Sequence, residues 1–349
     1  MSDSFRVLER AAAGWDALVR DDPSATPSHR PELWDALAAV LPGGAVRFLA
    51  VESDGVLIGG MGVVLERRAG FAWIHALPWL LGGAPLAVSG RQARADAGFA
   101  EALRALLREA RSVGGEWAVY RPDGREDLAA LDRVPGHTTR VETALVRLED
   151  GIDAARERLG RRMRQYLRNE SRAFAFADEP EALDQAYVLH ARQARGYRGF
   201  VPLPLELSRR LLGGGAPARD PARASMPPLA HLFTLRSAGR LVAATLFLDH
   251  PRELFAWWSG ISPRARGRHV FPLLLWRAVE WAAAHGRSRV NLGGSAGRAS
   301  LIAFKEALGA EQVQFPVRWL EPEHARGPGR WVARLQAWRR RRLPRGRPE

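Results

Sequence analysis

Two stretches of the chain carry the same run of apolar and polar positions. Gly55 to Trp73 reads GVLIGGMGVVLERRAGFAW and Gly239 to Trp257 reads GRLVAATLFLDHPRELFAW, at a constant offset of 184 residues. Each is entered by an apolar segment ending in a turn pair (FLAVESDG, LFTLRSAG), continues as a second apolar segment, crosses a short polar turn and closes on FAW. Apolar runs of this length joined by turn residues predict β-hairpins. Beyond them the spacing diverges but the order does not. Phe99 to Ala110 and Leu273 to Ala284 have helical periodicity, each ends near a glycine (Gly114, Gly286), and each leads into a further strand pattern, EWAVYR or RSRVNL. The pattern predicts an α+β chain built twice, each half reading strand, strand, strand, helix, strand.

Three other stretches stand out by pattern. In Arg156 to Arg172, Leu159, Met163 and Tyr166 fall on one helical face and Arg161, Arg164, Arg168 and Arg172 on the opposite one. Ala69 to Gly90 has no charged residue over 22 positions, long enough for a membrane span, but His75, Pro78, Gly82, Gly83 and Pro85 predict a strand and an apolar loop instead. Gly213 to Pro228 reads as a loop.

Composition narrows the chemistry. At 349 residues two domains are expected, and 46% apolar content supports a full core. The absence of cysteine excludes disulfides, thiolate nucleophiles and cysteine metal sites, and the nine histidines have no close helical pair, so no metal is expected. Net charge is +14, which favours polyanionic partners, yet all the basic residues except Lys305 are arginine, so most surface arginines reflect a bias in usage. Two clusters rise above it: seven arginines in Arg156 to Arg172 and nine in Arg326 to Arg347. In the second, Trp331, Leu335 and Trp338 share a face among the arginines, the pattern of an interfacial helix on anionic lipid, with RNA binding and a disordered tail as the other readings.

Gly293-Gly-Ser295-Ala-Gly297 matches the nucleophile elbow of α/β-hydrolases, but no aspartate and a single histidine, His324, follow it, so the hydrolase reading fails on chain order.

The duplicated unit resembles the GNAT acyltransferase fold, and in tandem form the Fem-type aminoacyl transferases and the BioF2-like acetyltransferase domains. Arg161 to Arg172 (RRMRQYLRNESR) resembles the basic opening helix of such a domain, His190 to Gly199 (HARQARGYRG) its second helix, and NLGGSAGRASLIAFKEALGA from Asn291 its closing strand, glycine turn and Phe-Lys helix. The resemblance runs from about residue 30 to 320 and implies two tandem GNAT-like domains, each a mixed, mostly antiparallel sheet flanked by helices: 1–150, a degenerate partner domain; 151–322; and a basic tail, 323–349. It further implies that Arg264, Arg266, Gly267, Arg268 and His269 cradle the phosphates of a donor, with His269 standing where the family has a small residue. Lys305 would meet substrate phosphate or a developing oxyanion, Ser295 would hydrogen-bond substrate, and Asn291 would complete the catalytic set. Asp249, Glu253 and His269 are the candidate bases, and some Fem-like mechanisms need none.

The expected function is transfer of an acyl or aminoacyl group to an amine in cell-envelope or exopolysaccharide synthesis. The donor co-substrate is acyl-CoA or aminoacyl-tRNA, no cofactor is tightly bound, and the acceptor is a small or lipid-linked amine. tRNA and an anionic membrane surface are the candidate partners, which places the protein in the cytoplasm or on the inner face of the membrane. The reading outside catalysis is a membrane-associated binding module that has kept the fold.

Overall fold

The computed structural model describes residues 3–41, 44–68, 71–76, 83–122, 132–170, 173–195, 202–213, 226–265 and 268–321. By their contacts they form two compact units. The first takes in the chain up to Val141 and again from Gln314; the second is built principally from Glu142 to Val313.

The first unit contains β1 (Asp3–Leu8), α1 (Trp15–Asp21), α2 (Pro31–Val40), β2 (Gly44–Ser53), β3 (Val56–Arg68), β4 (Phe71–Ala76), β5 (Leu86–Ala87), α3 (Gln92–Glu109), β6 (Ser112–Ala118), the start of β7 (Gly136–Arg147) and the end of β13 (Glu311–Leu320). Its strands run in the order β1-β2-β3-β4-β6-β13, and only the β4–β6 pair is parallel. Trp15 and Trp34 meet Phe48 edge-on at 5.0 and 6.1 Å in its core. A Cβ on Gly62 would lie 2.4 Å from the Trp34 ring, which is why this apolar strand carries a glycine there.

The second unit contains the end of β7, α4 (Gly151–Glu157), α5 (Arg161–Glu170), β8 (Ala175–Asp178), α6 (Leu183–Arg195), α7 (Leu205–Leu212), β9 (Ala230–Ser237), β10 (Arg240–Asp249), β11 (Glu253–Ile261), α8 (Val270–Ala284), β12 (Arg289–Asn291), α9 (Ala299–Ala307) and the start of β13. Its order is β7-β12-β11-β10-β9-β8, with β11–β12 the parallel pair. The core is α8 laid on the sheet: Leu273, Leu274, Trp276, Ala278 and Val279 are buried with Phe233, Phe247 and Leu254. Each unit is thus a mixed, mostly antiparallel sheet flanked by helices.

The repeat is expressed in backbone detail. The β2–β3 turn places Asp54 and Gly55 at φ 52° and 78°, and the β9–β10 turn places Ala238 and Gly239 at 47° and 74°. Positive φ at both central residues is the hairpin turn whose twist matches its strands. Each hairpin also carries a bulge at the same step: Ile58 is the extra residue in β3 and Val242 in β10, again 184 residues apart.

Some elements differ from the pattern. α3 ends at Glu109, within one residue of the expected Ala110, but begins at Gln92 instead of Phe99; just past its end Arg111 takes the left-handed backbone (φ 50°) usual for a glycine cap. Gly114 and Gly115 instead lie inside β6, where a Cβ would come 2.5 Å from Trp73 and 2.4 Å from the Ile74 carbonyl. Within Ala69 to Gly90, the described residues form β4, β5 and connecting backbone. No helix among the described residues is long and apolar enough to cross a membrane. Most of the Gly213 to Pro228 loop and the tail with Trp331, Leu335 and Trp338 lie outside the described residues.

Candidate active site

In the second unit two neighbouring strands part company. β11 and β12 run parallel but pair over only three positions, Glu253 with Arg289, Leu254 with Val290 and Phe255 with Asn291. β11 then continues to Ile261 beside β10 alone, while the chain after Asn291 stays with β7 through Leu292 N to Ala144 O (2.8 Å) and Ala144 N to Gly293 O (3.1 Å). A gap opens at the C-terminal ends of two parallel strands, where open α/β sheets bind ligands. Along its free half β11 bulges: Leu246 pairs with Trp258 and Phe247 with Ala256, so Trp257 is the extra residue. A bulge takes its residue out of the ladder and re-aims it. The Trp257 indole N–H is buried with no hydrogen-bond partner among the described residues.

One wall of the gap is the loop from β11 to α8. Pro263–Ala265 forms a single tight turn, and α8 begins at Val270 with Pro272 in its first turn, where a missing N–H costs nothing. His269 sits at the helix entry with φ 51°. This is the backbone a glycine adopts readily, at the position where the family pattern has a small residue. The imidazole stacks on Tyr166 of α5 at 3.8 Å with ring planes 12° apart. Arg264 and Arg268 are exposed, and the Arg268 guanidinium lies 4.9 Å over the Phe174 ring. Arg266 and Gly267 lie outside the described residues.

The other wall is the turn between β12 and α9, and here the structure gathers the three residues expected to be catalytic. Asn291 is buried; its Oδ1 accepts from Thr143 Oγ1 (2.6 Å) and Gly293 N (2.9 Å), and its Nδ2 donates to Glu253 Oε1 (3.3 Å). Gly293, Ala296 and Gly297 all have left-handed backbones. Lys305 reaches back from α9 and donates from Nζ to the carbonyls of Gly293 and Gly294, both at 2.8 Å. Burial pushes its ammonium down from 10.5 to about 8, with the Glu142 carboxylate opposing the shift. Glu142 also accepts from Gly297 N at 3.1 Å. Ser295, at the tip, is 1% exposed, and its hydroxyl has no partner among the described residues. A buried hydroxyl left unpaired is destabilising and calls for an explanation.

Lys305 therefore acts first on its own chain, clamping a strained turn by two carbonyls. Glu142, Thr143, Tyr166 and Trp257 also belong to the site; Tyr166 sits in the basic opening helix and the bulged tryptophan in the FAW repeat, whereas Glu142 and Thr143 carry no local sequence signal. Asp249 and Glu253 lie at the far end of β11 from the gap. Asp249 is fully buried between Arg287 (2.8 and 2.6 Å) and His231 (3.3 Å). Burial opposes its charge, but bonds from Arg287 and His231 outweigh that and hold its pKa low. Glu253 accepts from Arg289 at 2.6 Å. Both are spent in buried ion pairs. Among the described residues no group of three or more histidine, aspartate or glutamate side chains is placed to hold a metal ion.

Residues 153–306 match the family described as acetyltransferase (GNAT) domain, so the second half of the chain carries a GNAT domain. The structure of FemX aligns with a TM-score of 0.65 at 13% identity, over 89% of this chain and 96% of that one. L-PGS from Bacillus licheniformis aligns at 0.52 and 14%, over 97% and 99%. A tandem GNAT protein from the clavulanic acid biosynthesis pathway aligns at 0.50 and 16%, over 90% and 98%. At such identities the likeness is one of fold, and it extends over both units. No curated protein matches the chain in sequence.

Proposed function

We propose that this GNAT domain transfers an acyl or aminoacyl group from an activated ester or thioester to an amine, in assembly of a cell-envelope or exopolysaccharide component. The observation that carries the reading is the parting of β11 from β12 after three pairs, with the bulge at Trp257 on its free edge. A strand edge without a partner offers a row of backbone donors and acceptors. An extended donor arm bearing amides, such as that of coenzyme A, can take those bonds, and its phosphates would then reach the loop of Arg264, Arg268 and His269 at the start of α8. A helix N-terminus favours anions by its unpaired N–H groups and partial positive charge.

In the transfer step the amine nitrogen attacks the carbonyl carbon, the C–N bond forms, and the C–S or C–O bond to the donor breaks. Backbone N–H groups freed by the bulge would bind the oxyanion. The Ser295 hydroxyl would donate to the leaving sulfur or oxygen, which takes up a proton, while the attacking amine loses its own to solvent. Lys305 holds the turn that aims Ser295, and Asn291 holds the base of that turn. The protein would work in the cytoplasm or at the inner face of the membrane.

Calorimetric titration with coenzyme A thioesters and, in parallel, with charged tRNA tests the reading. Ser295→Ala should lower kcat roughly tenfold to a hundredfold with donor affinity kept. A Ser295→Ala protein with full turnover would remove the hydroxyl from the mechanism. Failure of every donor to bind the wild-type chain would favour the binding-module reading.

A further inference from the structure

The buried stripe of α6 runs Leu183, Ala186, His190 and Ala194, at the three- and four-residue spacing of one helical face. A histidine therefore stands where an apolar side chain would serve the packing, and a buried polar ring calls for a reason. The helix lies directly on β11 at this point. A Cβ on Gly260 would come 2.5 Å from His190 N and 2.8 Å from the Leu189 carbonyl carbon, so only a glycine admits the helix there. The His190 ring packs 4.7 Å from the Trp258 ring and 5.9 Å from that of Tyr187, and its Nδ1 lies 3.0 Å from the Ser259 carbonyl oxygen.

That carbonyl belongs to the free edge of β11. Backbone groups of successive residues in a strand point alternately to its two sides. Ser262 N donates to Val242 O of β10 at 2.8 Å, so Gly260 also faces β10, and Ser259 faces the gap left by β12. α6 thus sends His190 to the gap, two residues from the Trp257 bulge and, at about 3.3 Å per residue, within about 7 Å of the N–H groups assigned to the oxyanion. A carbonyl only accepts, so Nδ1 carries the proton, and in the neutral ring Nε2 carries the lone pair. Burial favours that neutral ring and lowers its pKa from 6.5, the Ser259 bond opposes the shift in part, and no charged side chain among the described residues contributes. Tyr187 beside it stays a phenol: it donates to Leu203 O at 2.6 Å, and burial raises its pKa. The other candidate bases are engaged elsewhere, Asp249 and Glu253 in buried ion pairs and His269 with its ring face on Tyr166.

We propose that His190 is the general base of the transfer step, placed by α6 at the free edge of β11. The inference rests on the proposed acyl transfer and adds a catalytic residue to it. As the amine nitrogen bonds the carbonyl carbon, Nε2 takes one of its protons. The C–S or C–O bond to the donor then breaks, and the imidazolium returns that proton to solvent. The positive ring is held meanwhile by the bond from Nδ1 to Ser259 O, which strengthens when its donor is charged. The backbone carbonyl thus fixes both the tautomer and the orientation of the ring.

The test uses the full chain with acetyl-coenzyme A and, in parallel, charged bulk tRNA. The acceptors are small primary amines of rising basicity: aminoacetonitrile, glycinamide and ethanolamine. Thiol release is read directly, since the protein has no cysteine, and loss of the aminoacyl group is read on the tRNA. His190→Asn keeps an N–H for Ser259 O and removes Nε2. It should lower kcat at neutral pH about a hundredfold, with donor affinity and melting temperature as in wild type. The deficit should shrink as pH rises and solvent base takes over, which a merely structural loss would not do. The wild type gives a reading that needs no variant. At saturating amine the acid limb of kcat should lie below pH 6.5 and stay in place across the amine series. An acid limb that moves with the basicity of the amine overturns the inference. Wild-type kcat in His190→Asn also overturns it, leaving acyl transfer standing and removing the base. No turnover by the wild type from either donor to any of the amines overturns acyl transfer itself, and the base with it.

Discussion

The two units share a hairpin, its turn and its bulge, yet one opens a gap where the other is stitched shut. In the second unit Ala243 and Ala244 of β10 pair with Ile261 and Gly260, the far end of an unbroken β11. Their counterparts in the first unit, Gly59 and Gly60, pair with Ala87 and Leu86 of β5. There β4 ends at Ala76, still paired with β6 at every step from Ala72 onward, and a separate strand takes over beside β3. Gly59 is a glycine because β5 passes so close that a Cβ would come 2.3 Å from the Leu86 carbonyl. The end of β6 is sealed as well: Arg121 meets Asp96 of α3 through two bonds of 2.8 and 2.9 Å, with Gln92 of the first helical turn on the same carboxylate at 2.9 Å. Where α8 offers its first turn to a loop of exposed arginines, the corresponding part of α3 is occupied by its own ion pair. The site is made by how long two parallel strands stay together, not by which residues form the hairpin.

The contrast can be broken most forcefully at Asp96. Removing it leaves the Arg121 guanidinium, 5% exposed, without its carboxylate. Stripping one partner from a buried pair costs about 3–5 kcal/mol. Asp96→Ala should lose that much in urea unfolding while its folded fraction binds donor as before. A loss of donor affinity with stability intact would mean that the first unit also holds the donor.

Next in size is Lys305→Met, which leaves two buried carbonyls without their donor. About 2–3 kcal/mol of stability should go, along with turnover. The pH dependence is more telling than the size. The ammonium titrates near 8 in the folded protein against 10.5 ordinarily, so between these values the unfolded chain binds the proton and the folded one does not. Wild-type stability relative to Lys305→Met should therefore rise from about pH 8 to 10.5 and be level below 8. His231 supplies the opposite slope. Its burial favours the neutral ring, but bonds and charges from Asp178 and Asp249 outweigh that and raise it from 6.5 to about 9. Its contribution, measured against His231→Gln, should be complete below pH 6.5 and disappear as pH rises through 9.

Arg264→Ala should weaken phosphate-bearing donors roughly tenfold, about 1.4 kcal/mol, with no change in melting temperature because the side chain is exposed. The smallest effects test the shared half of the comparison. Gly55 and Gly239 have φ 78° and 74°, and a Cβ at either meets nothing within 4 Å. Alanine at each should cost the same, about 1 kcal/mol, from backbone strain alone. Unequal costs would mean that the two turns are not equivalent.

Much of this was open to reading from sequence because it is local. DG and AG between apolar runs announce the hairpins, and the Asn291 to Ala310 stretch resembles a GNAT closing segment closely enough to bring Asn291, Ser295 and Lys305 onto one turn. What escaped depends on partners distant in the chain. Glu142 and Thr143 reach the 293–297 turn only because β7 pairs with β12. The Trp257 bulge is defined only against β10, and the Asp96–Arg121 seal only once α3 is laid over β6. Glycines were misread where they permit close approach, as at Gly114, instead of ending a helix.

β13 has a consequence in time. It pairs with β6 from Val317 opposite Ala118 to Leu320 opposite Gly115, yet it is synthesised only after α9 of the second unit. A chain emerging at about 5–20 residues per second exposes the first unit for many seconds before that strand arrives. Until then the edge of β6 is bare, and the unit translated first is not the unit finished first. Early termination anywhere before Gln314 should therefore yield an aggregating fragment, even where the whole hairpin, α3 and β6 are present.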